Sequence, residues 1–294
     1  MNPTIGQKES AVSGAWIKTA RLRHEWCDFL EDPAAAVAEL RTTKYPADIL
    51  TFVRDFCDGP VDLPFRTEKL GLAVLAVSTF ARWWEDIGFK TRNKVRKSQK
   101  SGVELRIEGL TDEFARGVEA IYGESPVRQG RSFVHYGQSA AAVKEELGSF
   151  LDRSVLVGAY HREEMIGFMK LFRGNDVLRT IHIVAKISHR EKCAMDGLIA
   201  KGVELCDRNG IHHLHYGSWT DGGIGAFREK HLFQRREVPR YFVPLSGLGQ
   251  MALALNLQRP LRQRLPRSWV ESLVDLRTKW NALKPAPAKP VVAD

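Results

Sequence analysis

From Gly102 to Leu245 the apolar positions switch repeatedly between a period of two and a period of about 3.6, and the switching lays out the elements. GVELRI places Val103, Leu105 and Ile107 two apart, a strand. Thr111-Asp112-Glu113 then opens a helix whose Phe114, Val118, Ile121 and Tyr122 face one way. Ala140 to Leu151 repeats the helical pattern with Val143, Leu147, Phe150 and Leu151. SVLVGAYH and MIGFMKLF flank Arg162-Glu163-Glu164, which predicts a hairpin, and Gly174-Asn175-Asp176 turns into VLRTIHIVAK. After Ser188 a long helix carries Met195, Leu198, Ile199, Gly202, Leu205 and Cys206, and Asn209-Gly210 stops it. The strand HHLHYGSW, a short helix around Phe227 to Leu232 and the strand VPRYFVPL complete the series. This β-α-α-β-β-β-α-β-α-β order predicts an α/β (α+β) domain, a mixed sheet flanked by helices, over residues 90–245.

The flanks read differently. Residues 1–89 are expected to be mostly helical: Pro33 can open a helix over Ala34 to Leu40, and Ile49, Leu50, Val53 and Phe56 form a stripe. Within this region Leu72 to Ser78 reads as a buried strand. Trp83-Trp84 starts the helix that carries the basic run. Residues 246–283 read as a basic amphipathic helical extension with Trp269, Leu273, Leu276, Trp280 and Leu283 on one face. Residues 284–294 read as a disordered Pro/Ala tail.

Composition narrows the classes. Apolar residues are 44 % and charged residues 27 % of 294, which excludes wholesale disorder. No apolar run reaches the ~20 residues that span a bilayer, and no signal pattern opens the chain. Four cysteines without a C-x-x-C pair suit a reducing compartment, so a cytoplasmic protein is expected. The net charge of +9 is concentrated. Lys90 to Arg106 holds seven basic residues against one acidic, and Arg228 to Asp294 thirteen against five. Clustered cations suit an anionic partner: a nucleic acid, a phosphorylated precursor or an anionic lipid surface that the C-terminal helices would touch.

Several residues offer chemistry. On the basic helix Arg92 and Arg96 share one side and Lys94 and Lys97 another, with Lys100 beyond, an arrangement suited to phosphate or solvent alike. Arg128, Gln129 and Tyr136 lie in a polar loop between two helices, suited to gripping a substrate or to plain solvation. His182 sits mid-strand on the side of Thr180, Val184 and Lys186. His213 and His215 share a strand face, but no third ligand has telling spacing, so no metal site is expected. Cys193, next to Lys192 at a helix start, suits a thiol of lowered pKa.

The stretch Arg92-Asn93-Lys94-Val95-Arg96-Lys97, followed by Lys100-Ser101-Gly102-Val103, resembles the R-x-x-[IV]-R-K-x-x-K-x-G-V pattern of FemAB-like proteins, a branch of the GNAT-like acyl- and aminoacyltransferases. Leu214 to Trp219 is similar to that family's D-Y-G strand, Ala226 to Lys230 to its F-K-x-x-x-G-F helix, and Val238 to Leu245 to its closing strand. The resemblance implies a GNAT-like fold and transfer of an acyl or aminoacyl group to an amine or hydroxyl of a cell-envelope, peptidoglycan or polysaccharide precursor. It implies acyl-CoA or aminoacyl-tRNA as donor, hence tRNA as a partner, and work at the inner face of the membrane. The opposing reading is a non-catalytic GNAT-like module that holds tRNA or an anionic membrane.

Two departures stand out. Where GNAT acetyltransferases carry a glycine-rich pyrophosphate loop, this chain has Arg190-Glu191-Lys192-Cys193-Ala194-Met195, and each Cβ hinders close backbone approach. Fem aminoacyltransferases also lack that loop and take their acyl group from aminoacyl-tRNA. The family glycine after Lys230 is missing as well. Any donor phosphate is expected at the amides of Lys192, Cys193 and Ala194, helped by Arg190 and Lys192. In that fold His182 is expected as base and Tyr216 as proton donor, with Arg128, Gln129, Tyr136, Lys186, Ser218 and Trp219 holding the acceptor.

Overall fold

The computed structural model describes residues 4–43, 45–59 and 62–258. The first part contains β1 (Thr4–Ile5), β2 (Lys8–Ser13), β3 (Thr19–Leu22), α1 (Pro33–Thr42), β4 (Ile49–Val53) and β5 (Arg66–Ala76). Then come α2 (Phe80–Asp86), α3 (Phe89–Lys100), β6 (Val103–Glu108) and α4 (Asp112–Tyr122). A two-strand ribbon, β7 (Val127–Arg128) and β8 (Arg131–Ser132), precedes α5 (Ala140–Leu147). The meander β9 (Ser154–His161), β10 (Glu164–Arg173) and β11 (Val177–Ala185) leads to α6 (Ala194–Arg208). Last are β12 (His213–Ser218), α7 (Gly223–Glu229), β13 (Gln234–Pro244) and α8 (Gly247–Ala254).

Eleven strands form one mixed sheet, ordered β1-β2-β3-β4-β13-β5-β12-β11-β10-β9-β6. Only β3/β4 and β11/β12 run parallel. The expected element order from residue 103 onward is present. Thr111 caps α4 through a bond from the Phe114 N–H to its Oγ1, at 3.1 Å. The hairpin of β9 and β10 turns on Arg162 and Glu163, both at positive φ, as a tight two-residue turn requires.

Two cores sandwich this half of the sheet. On one face α4 and α5 bury Phe114, Val118, Ile121, Leu147 and Phe168. Each contributes roughly 1.5–3 kcal/mol of burial. On the other, α6 packs Leu198, Ile199 and Val203 against Met169, Leu178 and Leu214. A Cβ on Gly197 would lie 2.7 Å from Ser98 Oγ, so glycine lets α3 press against α6.

The first ninety residues correct the expectation. Their described residues are strand-rich, with one α-helix and a single 3₁₀ turn (Phe56–Asp58) before α2, and not mostly helical. Ile49 to Val53, read as part of a helical stripe, is β4, buried at all five positions. An apolar run buried on both faces carries no period, and its neighbours decide its state. Residue 90 is no unit boundary either. β5 lies between β12 and β13, pairing Leu75 with Leu214 and Ala73 with Arg235, and so completes the sheet from outside residues 90–245. α5 stops at Leu147 instead of Leu151, because Gly148 ends it and Phe150 turns left-handed at φ 55°. The amphipathic face at 266–283 and the Pro/Ala tail lie outside the described residues. No helix among the described residues is long and apolar enough to cross a membrane.

Candidate functional site

The strands β11 and β12 begin side by side and then separate. They pair from Val177↔His213 to Arg179↔His215 and no further. Each strand then carries an irregularity. In β11, Lys170 of β10 faces His182 while Leu171 faces Thr180, so Ile181 is an extra, bulged residue. In β12, His215 pairs with Val74 but Ser218 with Leu72, an extra residue absorbed at Gly217, φ 67°. The result is a V-shaped opening mid-sheet, whose β11 side, Ile181 to Ala185, is half-buried instead of buried. Beyond Arg179 the β11 edge that faced β12 has no strand paired to it.

The bulge also resets which way β11 side chains point. Leu178 and Ile183, five apart, both pack on the α6 face, which an unbroken period of two forbids. His182 is thereby turned to the α4 face, stacked near Phe168. Tyr216 lies on the α6 face against Phe227 and Phe233. His182 and Tyr216 therefore do not form one acid–base pair. The alternation read from Thr180 to Lys186 fails because one residue is extra.

His182 joins a cluster of its own. Its Nδ1 is 3.4 Å from the Tyr122 hydroxyl and its Nε2 is 3.8 Å from Glu146 Oε1. His135 stacks on Tyr122, and its Nδ1 is 3.3 Å from Glu146 Oε2. Burial pushes His182 down to about 4, so its ring is neutral at pH 7. Glu146 is held below the ordinary carboxylate range by His135 beside it, against the effect of burial.

Tyr216 follows directly on His215, the last β12 residue paired with β11. The Arg228 guanidinium lies 4.6 Å over its ring and donates to the Ser218 carbonyl at 2.7 Å. Burial pushes the Tyr216 phenol up to about 12, so it keeps its proton. Ser218 and Trp219 are thus fixed by Arg228 and by the bond from the Trp219 N–H to the Gly71 carbonyl, 2.8 Å.

The polar loop is structural for the most part. Arg128 donates to the carbonyls of Ala185 and Ile121, both at 2.7 Å, and pairs with Glu124, tying α4 to the end of β11. Both terminal nitrogens are engaged within the fold and Nε is buried without a partner, which corrects its expected role as an acceptor grip. Gln129 and Gly130, both at positive φ, make the turn of the β7/β8 ribbon. Tyr136 is exposed, and Lys186 bonds Glu164 at 2.5 Å.

The expected donor loop is also corrected. The Lys192 N–H donates to the His189 carbonyl and the Cys193 N–H to Arg190, closing a turn of 3₁₀ helix. Two of the three amides expected at a phosphate are thus engaged, and Ala194 is buried. Arg190 is exposed in that turn, and Lys192 pairs loosely with Glu191 at 3.8 Å. The Cys193 thiol is raised, first by burial and then by Asp196, so it is no activated thiolate. Cations nevertheless gather there. Lys94 and Lys97 of α3, and Lys230, act on the Cys193 thiol across the start of α6. Arg92 instead donates to the Trp84 and Glu85 carbonyls and caps α2, while Arg96 lies over Trp84. Lys100 is exposed at the end of α3. A cavity of about 500 Å³ opens between α2, α3 and α6 beside Trp84, Arg96 and Lys201, with no residue of the strand opening in its wall.

Sequence reasoning missed Glu146, Tyr122 and Arg228. The signal for Glu146 was an acid next to Leu147 on the inward stripe of α5; Tyr122 and Arg228 passed as core and surface.

No protein-family model matches the sequence, and no curated protein is significantly similar to it. Solved structures do share its fold. The C-terminal domain of a proposed lysylphosphatidylglycerol synthetase from Agrobacterium fabrum superposes with a TM-score of 0.56 at 13% identity, over 85% of this chain and 87% of that one. FemX gives 0.59 at 9% identity, over 83% and 86%. L-PGS from Bacillus licheniformis gives 0.51 at 14%, over 84% and 83%. These superpositions show a shared GNAT-like fold, and at these identities the fold alone.

Proposed function

We propose that this chain is an acyltransferase and that transfer occurs where β11 and β12 separate. The parting of β12 from β11 beyond Arg179, opposite the bulge that Ile181 makes in the ladder to β10, carries the reading. A β11 amide on the edge that β12 leaves is a fixed donor for the oxygen of an acyl carbonyl as it turns into an oxyanion. The acceptor amine or hydroxyl bonds to the acyl carbon, and the carbonyl electrons move to oxygen. The oxyanion then collapses and breaks the bond to the donor sulfur or ribose oxygen. Tyr216 gives its phenolic proton to that leaving atom and regains one, through water, from the nucleophile.

Aminoacyl-tRNA suits the surface better than acyl-CoA. The loop that would cradle a pyrophosphate is closed on itself, while Lys94 and Lys97 are exposed on α3 and Lys230 is paired with Asp196. The name of one fold relative, lysylphosphatidylglycerol synthetase, supports a lipid acceptor beside a membrane, and the FemAB-like motifs support an envelope precursor. The test is parallel titration with acetyl-coenzyme A and with a charged tRNA pool, followed by turnover of whichever binds. Saturable, salt-sensitive tRNA binding with weak coenzyme binding is expected. Tyr216→Phe should slow transfer roughly 100- to 10,000-fold while staying folded. The reverse preference would overturn the donor, and tRNA binding without transfer would leave a binding module.

A further inference from the structure

We infer that His135, Glu146 and His182 form a binding site for a divalent metal ion of the zinc class, on the α4 face beside the strand opening. Their donor atoms all lie within 4.8 Å of one another, and among the described residues no other trio of such side chains draws together this closely. The three come from separate elements: His135 from the loop after β8, Glu146 from α5, and His182 from β11.

The contacts inside the trio are poor hydrogen bonds. Glu146 Oε1 and His182 Nε2 are 3.8 Å apart, beyond hydrogen-bond length. Glu146 Oε2 is 3.3 Å from His135 Nδ1, yet this buried oxygen has no well-directed donor among the described residues. The same nitrogen also faces Gln138 Oε1 at 3.3 Å, so one N–H looks at two oxygens and serves only one. An unsatisfied buried carboxylate oxygen is costly, and a cation at the centre removes that cost. The spacing agrees: ligands at 2.0–2.2 Å around a tetrahedral ion stand about 3.3–3.5 Å apart. The observed 3.3 and 3.8 Å contacts lie near that range, and the third edge, within 4.8 Å, closes as the ion binds.

The surroundings fit as well. The Tyr122 hydroxyl sits on the far nitrogen of His182, where an outer hydrogen bond orients a ligating imidazole. Lys170 is the cation facing the trio, and its ammonium is drawn to the carbonyls of Leu147 and Ser149 at 2.8 and 2.5 Å. The side chains keep 14% to 30% exposure, so an ion can enter from solvent. Two imidazoles and one carboxylate favour zinc, cobalt or another first-row ion over magnesium. Three protein ligands leave a coordination position open for water or a substrate oxygen. The site stands apart from the reading of Tyr216 and the bulge, and it binds metal whether or not that reading holds.

The test titrates chelator-treated full-length protein with Co2+ by visible absorption and with Zn2+ by calorimetry. One equivalent should bind, with the intense visible bands of a low-coordinate cobalt site and a raised unfolding temperature. His135→Ala and His182→Ala should abolish the bands. Tyr122→Phe should weaken binding about 10- to 100-fold. Glu146→Gln, which keeps the side-chain shape, covers the case in which a histidine variant fails to fold. Binding that survives Glu146→Gln unchanged, or that disappears instead with His212→Ala and His213→Ala or on thiol alkylation, overturns the assignment. So does the absence of stoichiometric binding.

Discussion

Arg179 and His215 face each other on the last rung of the β11/β12 ladder, both buried, and the two strands part immediately beyond them. Arg179 pairs with Asp55 between the rings of Phe29 and Phe56. His215 packs on Trp26 and Phe56. Among the described residues neither ring nitrogen has a well-directed hydrogen bond, although the Gly217 backbone acts on the ring. The rung thus anchors the base of the opening to the strand-rich first part of the chain.

That anchor makes a stability prediction. Asp55→Ala removes the partner of a buried guanidinium and also the carboxylate that accepts the Cys57 N–H at 3.0 Å. Breaking one side of a buried pair costs about 3–5 kcal/mol. Urea unfolding should show a loss of that size. A loss under 1 kcal/mol would mean that Arg179 finds another partner.

The pH dependence follows from His215. Burial, and then Arg179, push it down to about 3, against an ordinary value near 6.5. Below pH 6.5 the unfolded chain takes up this proton and the folded chain does not. Stability from this group is therefore complete above about pH 6.5 and is lost progressively as pH falls toward 3. His215→Phe should lose a few kcal/mol less than the native chain between pH 7 and pH 4. Equal losses in the two proteins would show that His215 titrates normally.

Gly217 carries the turn of β12 out of the ladder at φ 67°. A β-branched residue there costs about 1–2 kcal/mol of backbone strain and redirects the strand. Gly217→Val should lower both stability and transfer, whereas Gly210→Ala, at another positive-φ position at the end of α6, should lower stability alone. Full activity in Gly217→Val would separate the bulge from function.

Much of this half of the fold was legible. Phe114, Val118, Ile121 and Tyr122 announce α4, and two apolar runs around Arg162-Glu163 announce a hairpin. β4 was not, since five successive buried residues carry no period. The bulge at Ile181 was also hidden, because Thr180-Ile181-His182-Ile183 alternates on paper and only pairing with β10 exposes the extra residue. That residue decides which face His182 occupies, and so separates it from Tyr216.

The cation group at the start of α6 makes a salt-dependent prediction. If Lys94 and Lys97 contact tRNA phosphates, Lys94→Ala with Lys97→Ala should reduce the slope of log affinity against log salt by about 1.5. An unchanged slope in filter binding would place the nucleic acid elsewhere.

The most direct test of transfer at the strand opening is photo-cross-linking with a charged tRNA whose acyl group carries a photoreactive label, with a matching acyl-coenzyme A in parallel. Mass spectrometry of the labelled protein should find saturable attachment in Thr180 to Ala185 or Tyr216 to Trp219, competed by unlabelled donor. Saturable labelling confined to another surface, such as the cavity beside Trp84, would contradict a transfer site between β11 and β12.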